Sequence, residues 1–176
     1  MIALLLAASL LVRIETTLGN ITVRLDPEHA PRTTAGFMRC VDSGKLNGTE
    51  FYRVVRPGNQ SPRHPTQVIQ GGLNADTSPF PPLPLESTRE TGLRNVAGTI
   101  AIPRDKTPNS GSPCDFFINM ADNLHLDADR DPDGYGYAVF GKVISGMNVA
   151  RRIDRAPAKS QKLSPPIRIV RILRVK

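Results

Sequence analysis

The sequence has little cysteine, no long apolar run and no spaced set of metal ligands. Two cysteines among 176 residues are too few for a disulfide framework or a cysteine-based zinc site. They stand far apart, at Cys40 and Cys114, and read as free core thiols. The histidines, His29, His64 and His125, are scattered without metal-ligand spacing, so zinc is not expected. The apolar stretch Ile2–Val12 is too short to span a bilayer. Internal repeats are absent, and helical patterns do not alternate with strands, which argues against a βαβ array. What the chain has in quantity is proline (16) and glycine (14), the mark of many turns and short elements rather than a helix bundle.

With 39% hydrophobic and 22% charged residues, the composition is that of one globular domain. The net charge of +7 is unevenly spread. Lys142 to Lys176 holds ten Lys/Arg against Asp154 alone, which leaves the rest of the chain slightly acidic. This basic C-terminal flank includes Arg168, Arg171 and Arg174 but lacks interleaved aromatics, so nucleic acid is not an expected partner.

Residues 1–12 read as the apolar core of a secretory signal ahead of a domain over 13–176. No Lys or Arg precedes the run and no small-x-small cleavage site follows it. A mis-set start or a buried first strand is the alternative. The first reading predicts an exported, periplasmic protein; the second allows a cytoplasmic one.

Short strands are predicted at Arg13–Thr17 and Asn20–Leu25, where Ile21, Val23 and Leu25 alternate with polar residues. Pro31 suits the first turn of a helix with Phe37, Cys40 and Val41 on its apolar face, and Gly44 closes it. Further strands are expected at Phe51–Val55, Gln67–Gly72, Gly98–Ile102, Phe116–Asn119, Tyr137–Val143 and Ile167–Val175. A second helix is expected near Met147–Ile153, and Pro79–Pro84 as a loop over the barrel. Many short strands with two helices point to a mainly β protein, a closed β-barrel.

Five blocks in order carry a resemblance: Phe51-Tyr52-Arg53-Val54-Val55, Val68-Ile69-Gln70-Gly71-Gly72, Gly98-Thr99-Ile100-Ala101, Phe116-Phe117-Ile118 and Tyr137-Ala138-Val139-Phe140-Gly141-Lys142-Val143. From about Ile14 to the C-terminus the chain resembles the cyclophilin-type peptidyl-prolyl cis-trans isomerases. Tyr137 and Gly92-Leu93-Arg94-Asn95 look closer to bacterial, often periplasmic, members. The resemblance implies a closed eight-stranded antiparallel β-barrel capped by two α-helices. It implies rotation of X-Pro bonds in protein chains without a cofactor, acting as a monomer on proline-containing polypeptides.

Such a catalyst needs no nucleophile or metal. It must favour the twisted amide over both planar forms, with a fixed donor near the prolyl nitrogen and an apolar slot for the ring. By resemblance, Arg53 and Gln70 are the catalytic pair. Val68, Ile102, Arg104, Asp115, Phe117, His125, Leu126 and Tyr137 are expected to bind substrate, with Phe116 turned into the barrel.

Departures from the family pattern set a second expectation, a weakly active or inactive module that grips proline-containing peptides. Gln67 and Val68 replace an aromatic-Met pair, Pro103, Arg104 and Asp105 replace small residues and Asn, and Asp115 stands where glutamine is usual. His125 takes the place of Trp or Phe, and Arg56–Thr66 looks inserted. Asp129-Arg130-Asp131-Pro132-Asp133-Gly134 matches the opening of a calcium loop, but its twelfth position is Phe140 rather than a bidentate Glu. An acidic turn is the expected reading.

Overall fold

The structure, a computed structural model, describes residues 10–60, 65–74, 76–107 and 109–175. In chain order the elements are β1 (Leu11–Thr16), β2 (Gly19–Leu25), α1 (Pro31–Asp42), β3 (Glu50–Val55), β4 (Val68–Gly72) and β5 (Leu83–Pro84). There follow α2 (Thr88–Thr91), β6 (Thr99–Ile102), β7 (Ser110–Gly111), β8 (Asp115–Asn119) and a 3₁₀ turn at Leu124–Leu126. The chain ends with β9 (Ala138–Ser145), α3 (Met147–Asp154), β10 (Ala158–Lys159) and β11 (Lys162–Val175).

Eight strands pair antiparallel in the order β1-β2-β9-β6-β8-β4-β3-β11, and β11 returns to β1 to close the barrel. Closure removes the exposed edges an open sheet would present. The interior is set by strict alternation. Val12 and Ile14 on β1, and Ile21, Val23 and Leu25 on β2, point inward beside solvent-facing neighbours. Phe37 of α1 plugs one end, its ring 5.7 Å from that of Phe116 and 5.1 Å from that of Phe140. α3 buries Val149, Ala150 and Ile153.

The barrel begins two residues before the boundary expected from the sequence. Leu11 and Val12 belong to β1, paired with Val175 and Arg174, because the buried Val12 continues the inward pattern of Ile14. Residues 1–9 of the apolar run lie outside the described residues, as does His64. The final strand is longer than expected, starting at Lys162 with a register shift before Ile167 that accommodates Pro165 and Pro166. To the two expected helices the structure adds the single-turn α2.

Cys40 and Cys114 are bonded to each other rather than free, joining α1 to the residue before β8 across 74 positions. The helix face that buries Phe37 and Val41 also carries Cys40 into the core, where Cys114 meets it. α1 is likewise capped from afar. Ala30 has no capping side chain, so the buried Glu86 accepts from Arg32 N at 3.0 Å and Thr33 N at 2.6 Å. No helix among the described residues is long and apolar enough to cross a membrane.

Candidate active site

The outer face of β3, β4 and β8, with Pro103 and Arg104 just after β6, borders a groove of about 580 Å³. A β-bulge builds its polar wall. Phe51 pairs with Gly71 and Arg53 with Gln70, so Tyr52 is the extra residue between them. The bulge places two consecutive side chains, Tyr52 and Arg53, beside the groove while Phe51 and Val54 stay buried in the core. Strict alternation from Phe51 would have sent Arg53 inward.

Arg53 is held from two sides. Its Nη1 donates to Gln70 Oε1 at 2.9 Å, while Nε and Nη2 donate to Gln161 Oε1 at 2.9 and 2.6 Å. Gln161 sits in the turn between β10 and β11. Its backbone carbonyl accepts from Val54 N at 2.8 Å, which pins that turn against β3. Gln70 is 8% exposed and donates from Nε2 to Asp115 Oδ2 at 2.9 Å. Asp115, 3% exposed, also accepts from the Tyr52 hydroxyl at 3.0 and 2.9 Å. Gly72, at φ +106°, lets β4 pass close enough for this pairing: a Cβ there would lie 2.3 Å from the Cys114 carbonyl oxygen.

Burial pushes the Asp115 carboxyl from its ordinary 3.8 up to about 7, against hydrogen bonds from Tyr52 and Gln70 that favour the ionised form. The fold therefore favours the neutral acid. Asp115 contributes stability that is fully present below about pH 4 and is lost as pH rises through about 7. Burial, then the neighbouring carboxylate, push the Tyr52 phenol up, so it remains a donor at physiological pH.

The apolar half of the groove is a second cluster, separate from the barrel core: Val55, Val68, Ala101, Phe117 and Val139, with Leu93, Leu126 and Tyr137 packed on it. The Tyr137 ring meets the edge of Phe117 at 5.7 Å and 81°. A buried amide network sets its wall. Asn123 Nδ2 donates to Asn119 Oδ1 and Asn119 Nδ2 to Asn95 Oδ1, while Asp127 Oδ1 accepts from Asn95 N. These bonds fix the loop that carries Leu126 and, through Tyr137 N donating to the Leu126 carbonyl, Tyr137 itself.

Arg53, Gln70, Val68, Arg104, Asp115, Phe117, Leu126 and Tyr137 all line this groove, and Phe116 points into the barrel as expected. Arg104 lies 4.9 Å over the Tyr137 ring. It is tied there by Asp131 and Asp133, which is the work of the acidic turn. Among the described residues no group of three or more His, Cys, Asp or Glu is placed to hold a metal.

Ile102 is a correction: it is fully buried in the barrel core, and Ala101 packs instead in the outer apolar cluster with Phe117. Ala101 pairs with Phe117, and a period of two allows only one of two neighbours on each face. His125 does not line the groove. Its Nε2 is 2.8 Å from Thr66 Oγ1, a residue that does. Gln67 also turns away, bonding Asp154 of α3 at 2.9 Å. Gln161, 108 positions from Arg53, carries no sequence signal that would have singled it out.

Comparison with known proteins agrees with this geometry. A family model described as cyclophilin type peptidyl-prolyl cis-trans isomerase/CLD matches residues 11–175. The chain is 39% identical to peptidyl-prolyl cis-trans isomerase A of Dickeya dadantii over 155 residues, covering 85% of this chain and 73% of that one. It is 37% identical to a peptidyl-prolyl cis-trans isomerase of Acinetobacter baylyi over 156 residues, covering 87% and 76%. A crystal structure of a cyclophilin type isomerase from Cryptosporidium parvum shares the fold, with a TM-score of 0.77 at 22% identity over 96% of this chain and 99% of that one. The same protein solved in the presence of the dipeptide Ala-Pro gives 0.74 at 22% identity, over 94% and 99%. With its closed barrel and with its family model spanning nearly every residue, this chain belongs to the cyclophilin-type peptidyl-prolyl cis-trans isomerases.

Proposed function

We propose that isomerisation runs on Arg53, with the proline ring of the substrate seated on Phe117, Val68 and Leu126. X-Pro rotation faces a barrier of ~18–20 kcal/mol and takes tens of seconds or longer unaided. Conjugation of the prolyl nitrogen with its carbonyl holds the bond planar. A donor that draws on that nitrogen's lone pair stabilises the twisted form and leaves both planar forms untouched, which is the selective binding that accelerates a reaction. A guanidinium has five N–H donors. Three of those of Arg53 are engaged by Gln70 and Gln161, so one remains on each Nη for the substrate. That two-sided hold at the edge of an apolar slot carries the reading, because a preorganised cation needs no reorientation when the amide twists.

The substrates on this reading are proline-containing segments of unfolded or flexible chains. The structural relative solved with Ala-Pro supports a small residue before the proline. Action outside the cytoplasm is supported by the Cys40–Cys114 disulfide, since such bonds persist in oxidising compartments, and by the apolar stretch that starts at Ile2 and precedes β1. The mass and cell fraction of the mature protein test that placement; an uncleaved chain in the cytoplasm overturns it.

NMR exchange in an Ala-Pro peptide, free of coupling protease, tests the mechanism. Arg53→Ala is expected to lower kcat/KM by about 10²-fold, near 2.7 kcal/mol, with an unchanged circular dichroism spectrum. Wild-type exchange rates in folded Arg53→Ala protein refute the assignment.

A further inference from the structure

The carboxylate at the base of the groove has no place in the mechanism above, and in the resemblance this position is a neutral glutamine. We propose that Asp115 is a positioning residue of the isomerase, holding Gln70 in the one amide orientation that orders Arg53. The inference rests on the assignment of Arg53 as the catalytic donor.

The argument is one of donors and acceptors. The Gln70 amide has one oxygen and one NH₂. Its oxygen accepts from Arg53 Nη1, and its nitrogen donates to Asp115 Oδ2. Rotating the amide by half a turn would set its NH₂ against the guanidinium, donor against donor. An ionised Asp115 forbids that rotation, because it offers acceptors only and the turned amide would face it with an oxygen. A protonated Asp115 offers an O–H, so the turned amide becomes acceptable on that side and Arg53 loses its Gln70 contact for part of the time. The Tyr52 hydroxyl donates to both carboxylate oxygens and keeps the acid in place in either form.

The switch falls in the physiological range because burial raises the Asp115 carboxyl to about 7. The charged and titratable groups facing it are Tyr52 and Arg53 from β3; β4 presents only the neutral Gln70. Asp76 and Arg104 line the same groove on the loops that border it. A charged carboxylate is a cost to the fold at this depth, and the structure retains it where it bonds Gln70, the partner of Arg53.

The experiment follows the Arg53 Nε–Hε and Gln70 side-chain amide resonances, and kcat/KM by NMR exchange in an Ala-Pro peptide, from about pH 5.5 to about pH 8.5. In the wild type both resonances are expected to titrate with a midpoint near 7, and kcat/KM to fall about fivefold below it, mostly in kcat. Asp115→Asn is expected to abolish the titration at both resonances and to flatten the rate profile. Tyr52→Phe removes a bond that favours the ionised form, so it is expected to move the midpoint upward. It serves as the test if Asp115→Asn does not fold. An unchanged midpoint in folded Asp115→Asn, or in Tyr52→Phe, overturns the proposal, as does a wild-type protein whose resonances do not titrate. The resonances report the coupling whether or not Arg53 proves to be the catalytic donor. Failure of the mechanism and failure of the positioning role are therefore read separately.

Discussion

The two faces of β3, β4 and β8 obey different rules. The inward face is Phe51, Val54, Ile69, Phe116 and Ile118, all fully buried and all apolar, packed in one cluster with the capping helices. The outward face carries Tyr52, Arg53, Gln70, Asp115 and Phe117, a polar chain beside a small apolar patch. The inner face is held by burial, which is non-directional and tolerant of detail. The outer face depends on donor and acceptor geometry, which fails when a single partner is misplaced. Apolar burial therefore concentrates on one side of the sheet and the polar chain of the groove on the other, one residue apart in sequence.

The largest test of that division is the neighbouring pair Phe116 and Phe117. Phe116→Ala is expected to cost about 3–5 kcal/mol in denaturant unfolding, because its ring packs against both Phe37 and Phe51. Phe117→Ala is expected to cost markedly less and to lose peptide affinity instead. Equal losses of stability from the two variants would erase the distinction between the faces.

Next in size is the disulfide, which ties α1 to the strand that begins with Asp115. Replacing both Cys40 and Cys114 with Ala is expected to lower stability by about 2–4 kcal/mol. A thiol assay on denatured, unreduced wild type should find no free thiol; two reactive thiols would return the pair to the free state read from the sequence.

The smallest effect separates the two supports of Arg53. Gln161 grips from an exposed turn, Gln70 from a buried strand, and bonds near water are worth less. Gln161→Ala is expected to reduce kcat/KM about fivefold, near 1 kcal/mol, with the melting temperature unmoved. A loss as large as that of Arg53→Ala would make the turn, not the strand, the main support.

Much of this protein was legible in the residue pattern. The alternation of Ile21, Val23 and Leu25, the proline that opens α1 and the ordered sequence blocks placed the strands, the first helix and the groove residues Arg53 and Gln70. The misses share a cause. Resemblance puts Ile102 in the groove because it assigns a position, while the facing of a strand residue is fixed by its register against β8. His125 is expected to line the pocket by the same resemblance, and it instead bonds Thr66, which does line it. Glu86 capping α1, Gln161 gripping Arg53 and Cys40 reaching Cys114 are partners separated by 53 to 108 positions, beyond any local pattern.

By itself the sequence determined the barrel's apolar faces, its turns and the family, because period, proline and glycine act over a few residues. The tertiary structure alone decided that a bulge would set Tyr52 beside Arg53. It also decided that a turn from the far end of the chain would hold the guanidinium, and that Asp115 would be buried deeply enough to titrate near neutrality. Those outcomes depend on register, loop closure and desolvation, which exist only once distant segments have packed.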